Sequence, residues 1–88
     1  MITVNLHRKF EKQFVKLQKK IRSRFKERRN IFIVDPYNPL LNNHALQRIY
    51  SGYRSINITG DVRAIYYEQA HKRVLFIAIG THHELFGT

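Results

Sequence analysis

The segment GTHHELFGT, residues 80–88, holds the side chains of this chain that are best suited to proton transfer. His82 and His83 follow a glycine–threonine pair, and Phe86 comes shortly after them. Imidazole has an ordinary pKa of about 6.5, so a histidine can accept or donate a proton near neutral pH. These residue types indicate acid–base chemistry beside an aromatic ring.

Metal binding is the other use that histidines could serve, and their spacing argues against it. His7, His44 and His71 are scattered along the chain, whereas His82 and His83 are adjacent rather than spaced for one helix face. No acidic cluster accompanies them, and the chain has no cysteine for thiolate ligands or disulfides. We therefore expect neither a metal nor a cofactor.

A helical segment precedes the candidate site in the sequence. Its apolar residues recur at spacings of four, three, four and four: Phe10, Phe14, Leu17, Ile21 and Phe25. This period predicts one apolar stripe on a helix, facing the core. It fits one long helix or two short ones, and a helical hairpin with a break near Lys19 suits a small domain better. Asp35-Pro36 and Asn38-Pro39 end the segment, because residues before proline avoid helical geometry.

The second half of the chain is patterned as strands. Residues 52–58 alternate in polarity, residues 61–67 form a second β-prone run, and residues 73–79 are apolar on both faces and so central. Short connections between such strands favour antiparallel pairing. Residues 2–6 add a short β-prone run at the start. The prediction is a single α+β domain over residues 1–88, with two N-terminal helices on one face of a small antiparallel sheet.

The net charge of +10 is concentrated in the helical segment. Residues 1–30 contain eleven basic and two acidic residues, while residues 31–88 contain five basic and four acidic ones. A field this uneven favours a polyanion or an acidic partner, although a solvated helix surface would show the same composition. No apolar stretch approaches the ~20 residues that span a bilayer, and no signal-peptide pattern is present. We expect a soluble protein of the cytoplasm.

Three segments of the second half, taken in order, resemble a known family: NPLLNNHAL (38–46), GYRSINITGDVRAIYY (52–67) and VLFIAIGTHHELFG (74–87). They are similar to the RelE/ParE superfamily of bacterial toxins, most closely to its YafQ-like branch. The resemblance implies a fold like that of microbial ribonucleases. It also implies a toxin that cuts messenger RNA, usually on the ribosome and without a metal, and that is held inactive by a cognate acidic antitoxin.

The same resemblance implies roles for individual residues. RNA cleavage of this type needs a base for the 2′-hydroxyl, an acid for the 5′-oxygen and a cation for the phosphate. His44 and His82 match histidines of the YafQ branch and are the candidates for base and acid, in an order that the sequence leaves open. Arg63 matches a strand arginine that many relatives use on the scissile phosphate. His83 is expected to be a spectator.

Four further residues complete the set that the resemblance implies. Phe86 matches an aromatic that stacks on a base or orients the substrate, and its alternative is packing at the sheet edge. Asp61 matches an acidic residue that orients a histidine or acts as a base, and its alternative is an ordinary turn aspartate. Arg48 and Arg54 are looser candidates for contacts with backbone phosphates.

Two departures from the YafQ pattern leave other functions open. Asn57 stands where the branch has a histidine, and Val62 stands in place of a tryptophan. Asparagine hydrogen-bonds but does not titrate, so the site would depend on His44, His82 and Arg63. The alternatives are an inhibitor of DNA gyrase in the manner of ParE, which would not need those three residues, and a catalytically decayed homologue that only binds its antitoxin.

Overall fold

The structure, a computed structural model, describes residues 1–87 as a five-stranded sheet with three α-helices. In chain order the elements are β1 (Thr3–Leu6), α1 (Arg8–Val15), α2 (Lys19–Val34), β2 (His44–Ala45), β3 (Arg54–Asn57), β4 (Val62–Ala70), β5 (Arg73–Thr81) and α3 (His82–Phe86). Two short 3₁₀ turns, Pro39–Leu41 and Arg48–Tyr50, lie on either side of β2. The architecture is mixed α+β, as the sequence pattern predicts.

A side-chain cap marks the start of α1, and the residue before a proline marks the end of α2. His7 caps α1, because its ring Nδ1 accepts a hydrogen bond of 3.0 Å from the backbone N–H of Lys9. Residues 16–18 separate α1 from α2, which starts after Gln18. α2 ends at Val34 because Asp35, which precedes a proline, has non-helical backbone angles of φ −143° and ψ 83°.

The sheet has the strand order β1-β5-β4-β3-β2 and is mixed rather than wholly antiparallel. β2 to β5 pair antiparallel, but β1 lies parallel to β5, with Thr3 opposite Arg73 and Leu6 opposite Phe76. The expected purely antiparallel sheet is therefore wrong at this edge. β1 meets a strand about 70 residues later in the chain, and the intervening helices and meander provide the crossover that parallel pairing requires.

Phenylalanine rings join the helices to one face of the sheet, which we call the helix face. Phe10 of α1, Phe25 and Phe32 of α2 and Phe76 of β5 are all at most 2% exposed. Their ring centroids lie 5.1 to 5.9 Å apart in the contacting pairs, mostly in edge-to-face or tilted geometry. Replacing any one of these rings by alanine costs about 3–5 kcal/mol, so they dominate the stability of the fold.

The opposite face of the sheet, which we call the second face, is partly covered. Ile65, Ala78 and Leu85 form a second apolar cluster, with Leu85 contributed by α3. The segment 46–53 packs against it through apolar and aromatic side chains. The two predicted helices would leave this face of the sheet uncovered, whereas in the structure α3 and segment 46–53 fold over it. Within residues 1–87, no helix is long and apolar enough to cross a membrane.

Candidate active site

The register of the strands brings His44 and Arg63 to the second face. His44 lies opposite Ser55 across β2 and β3, and Ser55 lies opposite Ile65 of the second-face cluster. Directly paired residues share a face of the sheet, and alternate residues of one strand do so too. Arg63 is two positions before Ile65 on β4, so its side chain belongs to the same face as the ring of His44.

Hydrogen bonding fixes the tautomer of His44. Its Nδ1 lies 2.8 Å from the carbonyl oxygen of Asn42. A carbonyl only accepts, so Nδ1 carries the proton, and the neutral ring keeps Nε2 as an unprotonated acceptor. Asn42 adopts the left-handed region at φ 44°, which turns its carbonyl towards this ring. The exposed imidazole can therefore take a proton through Nε2.

Asn43 anchors the segment that carries His44. Its amide nitrogen donates to the carbonyl of Pro36 and to the hydroxyl of Tyr66, both at 2.8 Å. Its amide oxygen accepts from Nε of Arg54, also at 2.8 Å. Burial raises the pKa of Tyr66 above its ordinary value, and the hydrogen bond from Asn43 works against this rise. These contacts fix the backbone immediately before His44.

Arg54 is separated from the other candidates by its position in β3. It alternates with Ser55, and its strand partner Tyr66 packs in the phenylalanine-rich core of the helix face. Its guanidinium lies 5.3 Å from the ring centroid of Tyr37, within the range of a cation–π contact. In this position Arg54 holds Asn43 and is directed away from His44 and Arg63. An RNA contact from Arg54 would have to be made on the helix face.

A capping box places His82 at the first position of α3. The hydroxyl of Thr81 accepts from the backbone N–H of Glu84, and the carboxylate of Glu84 accepts from the backbone N–H of Thr81 at 2.7 Å. The hydrogen bond that the carboxylate accepts from the backbone N–H of Thr81 holds the pKa of the Glu84 carboxyl below its ordinary value. A Cβ at Gly80 would lie 3.0 Å from Oε1 of Glu84, so glycine leaves room for the carboxylate to fold back.

His82 is tied both to β4 and to Phe86. Its backbone N–H donates to the carbonyl of Asp61 at 3.1 Å, which fastens the start of α3 beside the start of β4. Its ring lies on that of Phe86, with the centroids 4.8 Å apart and the planes inclined by 49°. Tyr50 packs edge-to-face on Phe86 and donates its hydroxyl proton to the carbonyl of Leu85. Phe86 and Tyr50 thus support the ring of His82 on one side, while His82 remains exposed to solvent.

Arg63 is held at the end of the sheet near His82. Its Nη1 donates to the carbonyls of Thr59 and Gly60, at 3.2 and 3.0 Å. Both bonds use the same nitrogen, so the edge formed by Nε and Nη2 is the one suited to a phosphate. Arg63 also lies opposite Gly80, two residues before His82. A cation and an imidazole therefore share one corner of the second face.

The remaining candidates are more peripheral. Asp61 is exposed in the turn before β4, where its backbone carbonyl rather than its carboxylate contacts the backbone of His82. Arg48 is exposed in the 3₁₀ turn of segment 46–53 and has a positive φ of 59°. That segment borders the second face, so Arg48 lies at its rim. Among residues 1–87, no group of three or more histidine, aspartate or glutamate side chains is arranged to hold a metal ion.

The family model for YafQ, described as the bacterial toxin of a type II toxin–antitoxin system, matches residues 2–87. The chain belongs to the YafQ family. YafQ from E. coli strain BL21(DE3) has a similar structure, with a TM-score of 0.81 and 25% identity over 99% of this chain and 100% of that one. The toxin in an E. coli DinJ–YafQ complex gives a TM-score of 0.76 and 27% identity, over 99% of this chain and 100% of that one.

The fold extends beyond the YafQ family. A YoeB/ParE toxin from Agrobacterium tumefaciens gives a TM-score of 0.76 at 15% identity, over 92% of this chain and 99% of that one, a likeness of fold alone. A comparison with curated protein sequences gives no match.

The departure from the YafQ pattern at Asn57 lies inside the candidate site. Asn57 is opposite Arg63 and two residues from Ser55, so it occupies the second face between His44 and Arg63. The Oδ1 atom of Asn57 and the Oγ atom of Ser55 are buried and have no hydrogen-bond partner among the residues that the structure describes. Orphaned polar atoms are rare in native interiors, which makes these two notable. In this YafQ-family member they provide unused hydrogen-bonding capacity between the candidate base, His44, and the candidate cation, Arg63.

Two structural parts of this YafQ-family site lie beyond the sequence prediction. The first is α3, a helix absent from the prediction although the pattern Thr81-x-x-Glu84 is a capping-box signal. The second is the strand β2. The polar residues 42–44 are typical of a loop, whereas in the structure His44 pairs with Ser55 of β3. Only the strand pairing shows on which face of the sheet His44 lies.

Proposed function

We propose that this toxin is a metal-independent endoribonuclease that cleaves messenger RNA on the ribosome. The observation that carries the proposal is the placement of His44, Arg63 and His82 on one face of the sheet. In the proposed reaction the 2′-oxygen attacks the adjacent phosphorus and forms a 2′,3′-cyclic phosphate. The 5′-oxygen leaves with the electron pair of its bond to phosphorus and takes up a proton.

The geometry suits the two histidines to different roles in proton transfer. His44 acts as the base, since its Nδ1–H is committed to the carbonyl of Asn42 and Nε2 accepts the proton of the 2′-hydroxyl. His82 then acts as the acid that protonates the 5′-oxygen. Phe86 supports the ring of His82, and its remaining exposed surface can stack on a nucleobase of the RNA.

Charge stabilisation falls to Arg63 in this proposal. Two backbone carbonyls hold its Nη1, so the guanidinium is oriented before the substrate arrives and loses little side-chain freedom on binding. Its planar fork can donate two hydrogen bonds to the oxygens of the phosphorane. Asn57, beside Arg63, can hydrogen-bond a ribose or phosphate oxygen but cannot transfer a proton. Asp61 has a supporting role through its backbone contact with His82.

The basic helices supply the proposed contacts with the larger partners. The eleven lysines and arginines of residues 1–30 give α1 and α2 a field that suits ribosomal RNA phosphates. The same charge suits an acidic antitoxin that folds on binding. The E. coli DinJ–YafQ complex supports this part of the proposal, since a similar toxin is held there by its antitoxin. Arg48, at the rim of the second face, is a further candidate phosphate contact.

The test is to add purified toxin, free of antitoxin, to a reconstituted translation reaction and to map new 5′ ends on the messenger RNA. Parallel reactions lack ribosomes and contain EDTA. We expect cuts at codon positions only when ribosomes are present, and EDTA-resistant cuts without ribosomes would remove the ribosome from the proposal. His82→Ala should lower the cleavage rate by about 10²–10⁴-fold, the usual contribution of a general acid.

His83→Ala is the matched control, because His83 is the exposed neighbour of His82 in the same helix and should retain the cleavage of the unaltered toxin. Undiminished cleavage by a folded His82→Ala toxin would contradict the assignment of the acid. A folded toxin that makes no cuts in any reaction would contradict the ribonuclease proposal itself, and inhibition of DNA gyrase or antitoxin binding alone would become the functions to test.

A further inference from the structure

A row of five aromatic rings crosses the second face and leads away from His82. Successive ring centroids are 4.8, 5.6, 6.2 and 5.3 Å apart, running from His82 through Phe86, Tyr50 and Tyr53 to Tyr67. The four rings beyond His82 are each half-buried, so each retains some exposed surface. Rings in edge-to-face contact share part of their surface with a neighbour and leave part available for stacking. The row thus connects the candidate acid to a distant part of the same face.

The far end of the row opens into a groove of about 310 Å³, which we call the tyrosine groove. Its lining consists of His7, Lys9, Tyr53, Tyr67, Leu75 and Ile77. Tyr67 lies four residues after Arg63 on β4, about 13 Å along the strand at the usual rise per residue. The groove is therefore separate from the corner that holds Arg63 and His82, although the two lie on one continuous face.

The polar side of the tyrosine groove carries groups that suit an anion. Lys9 contributes an ammonium group, a point charge suited to phosphate oxygens. Nδ1 of His7 accepts the backbone N–H of Lys9, so the neutral ring carries its proton on Nε2 and becomes a donor there. The opposite side offers the rings of Tyr53 and Tyr67 over an aliphatic floor. Together they match the two halves of a nucleotide, a flat apolar base and an anionic phosphate.

We propose that the tyrosine groove is a second nucleotide subsite, in which Tyr67 stacks on a base of single-stranded RNA while Lys9 and His7 bind a backbone phosphate. The inference rests on the proposed function, because it places the groove on the path of the RNA that leads to His82. The groove volume is at the lower end of the roughly 300–1,000 Å³ of ligand pockets, which suits one nucleotide rather than a folded partner. Base stacking on aromatic rings tolerates any sequence, so the subsite adds affinity without dictating the base.

The experiment measures binding of a fluorescein-labelled single-stranded RNA whose 2′-oxygens are methylated, so that it cannot be cleaved by 2′-hydroxyl attack. Fluorescence anisotropy gives the dissociation constant over a series of salt concentrations. Tyr67→Leu keeps an apolar side chain but removes the ring, and it should weaken binding about tenfold. Tyr67→Phe keeps the ring and should bind within about twofold of the unaltered toxin.

Lys9→Gln tests the phosphate contact on an exposed side chain that the fold does not need. It should weaken binding and lower the slope of log affinity against log salt by about 0.7. Lys26→Gln removes the same charge from the exposed surface of α2 and should change both quantities less. The duplex form of the probe should compete poorly, because its bases are already stacked.

Unchanged binding in both Tyr67→Leu and Lys9→Gln would overturn the subsite, and the groove would then be a candidate for a protein partner. Equal losses in Lys9→Gln and Lys26→Gln would overturn it too, since they would indicate a diffuse field. Failure of the unaltered toxin to bind the probe is likewise incompatible with the proposal. These results are independent of the cleavage assay. If the toxin cleaves but these substitutions leave probe binding unchanged, only the subsite proposal is contradicted. If the toxin binds the probe as proposed but does not cleave, only the nuclease proposal is contradicted.

Discussion

Asn43 links the phenylalanine-rich core to the strand that carries His44, so its removal should lower both stability and activity. Its side chain makes three hydrogen bonds of 2.8 Å, to the carbonyl of Pro36, the hydroxyl of Tyr66 and the guanidinium of Arg54. A typical hydrogen bond contributes about 1 kcal/mol to stability, and one to a charged group contributes more. Asn43→Ala should therefore reduce the free energy of unfolding by about 3 kcal/mol.

The burial of Tyr66 makes the loss of the Asn43 amide costly relative to the stability of the whole domain. Tyr66 is only 4% exposed, so water cannot readily replace the amide of Asn43 at its hydroxyl. A domain of this size is commonly stable by about 5–15 kcal/mol, so the loss would be a large share of the total. The melting temperature should fall by roughly 12 °C or more. His44 should also be less well positioned, and cleavage per folded molecule should fall.

Urea unfolding followed by circular dichroism measures the first effect, and cleavage at a temperature where both proteins are folded measures the second. Asn30→Ala is the matched control, because Asn30 is an exposed asparagine on α2 and its replacement should change stability by less than about 0.5 kcal/mol. In a double-mutant cycle, Asn43→Ala and Tyr66→Phe should be coupled by about 1 kcal/mol. A loss below 1 kcal/mol in Asn43→Ala, or the absence of coupling to Tyr66, would refute the view that this network fixes the strand of His44.

Two further predictions concern the cap of α3 and the buried tyrosine. Thr81→Val keeps the shape of the side chain but removes the hydroxyl that caps α3, so we expect a loss of about 1 kcal/mol in urea unfolding and reduced cleavage, because α3 carries His82. Stability and cleavage equal to those of the unaltered toxin would show that the cap is dispensable. The raised pKa of Tyr66 means that its contribution to stability is fully present below the ordinary tyrosine pKa of about 10 and is lost as pH rises through the folded value. The unaltered toxin should therefore lose stability above about pH 10 more steeply than Tyr66→Phe, and parallel pH profiles would contradict this.

Much of the fold is predictable because the patterns that specify it are local. Phe10 and Phe25 recur at helical spacing, Pro36 ends the helical segment, and the alternation around Ile56 predicts a strand whose faces differ. Each of these signals depends on residues within one or two turns of each other. The parallel pairing of β1 with β5 is not local, since it joins segments about 70 residues apart, and no short pattern in the sequence indicates it.

In the candidate site, too, some features follow from the sequence and others only from the tertiary structure. The residue types alone indicate which side chains can transfer protons or bind phosphate, and the ordered motifs indicate the family. His44, Arg63 and His82 lie 19 residues or more apart in the sequence, so only the tertiary structure decides that they share a face. The strand register places His44 and Arg63, and the packing of α3 places His82. Arg54 is also a strand arginine, yet the alternation within β3 places it on the other face with Asn43. Sequence spacing does not separate the two arginines, because the face depends on how each strand pairs.

The sequence by itself determined the helix and strand periods, the concentration of positive charge in residues 1–30 and the membership of the toxin superfamily, because each depends on residue types and short spacings. The tertiary structure alone decided the proton position on His44, the folding of α3 over the second face and the row of rings that ends at Tyr67. A tautomer depends on which carbonyl lies beside the ring, and a groove depends on which strands adjoin. Both are contacts between distant parts of the chain, and they form only when the sheet has been assembled.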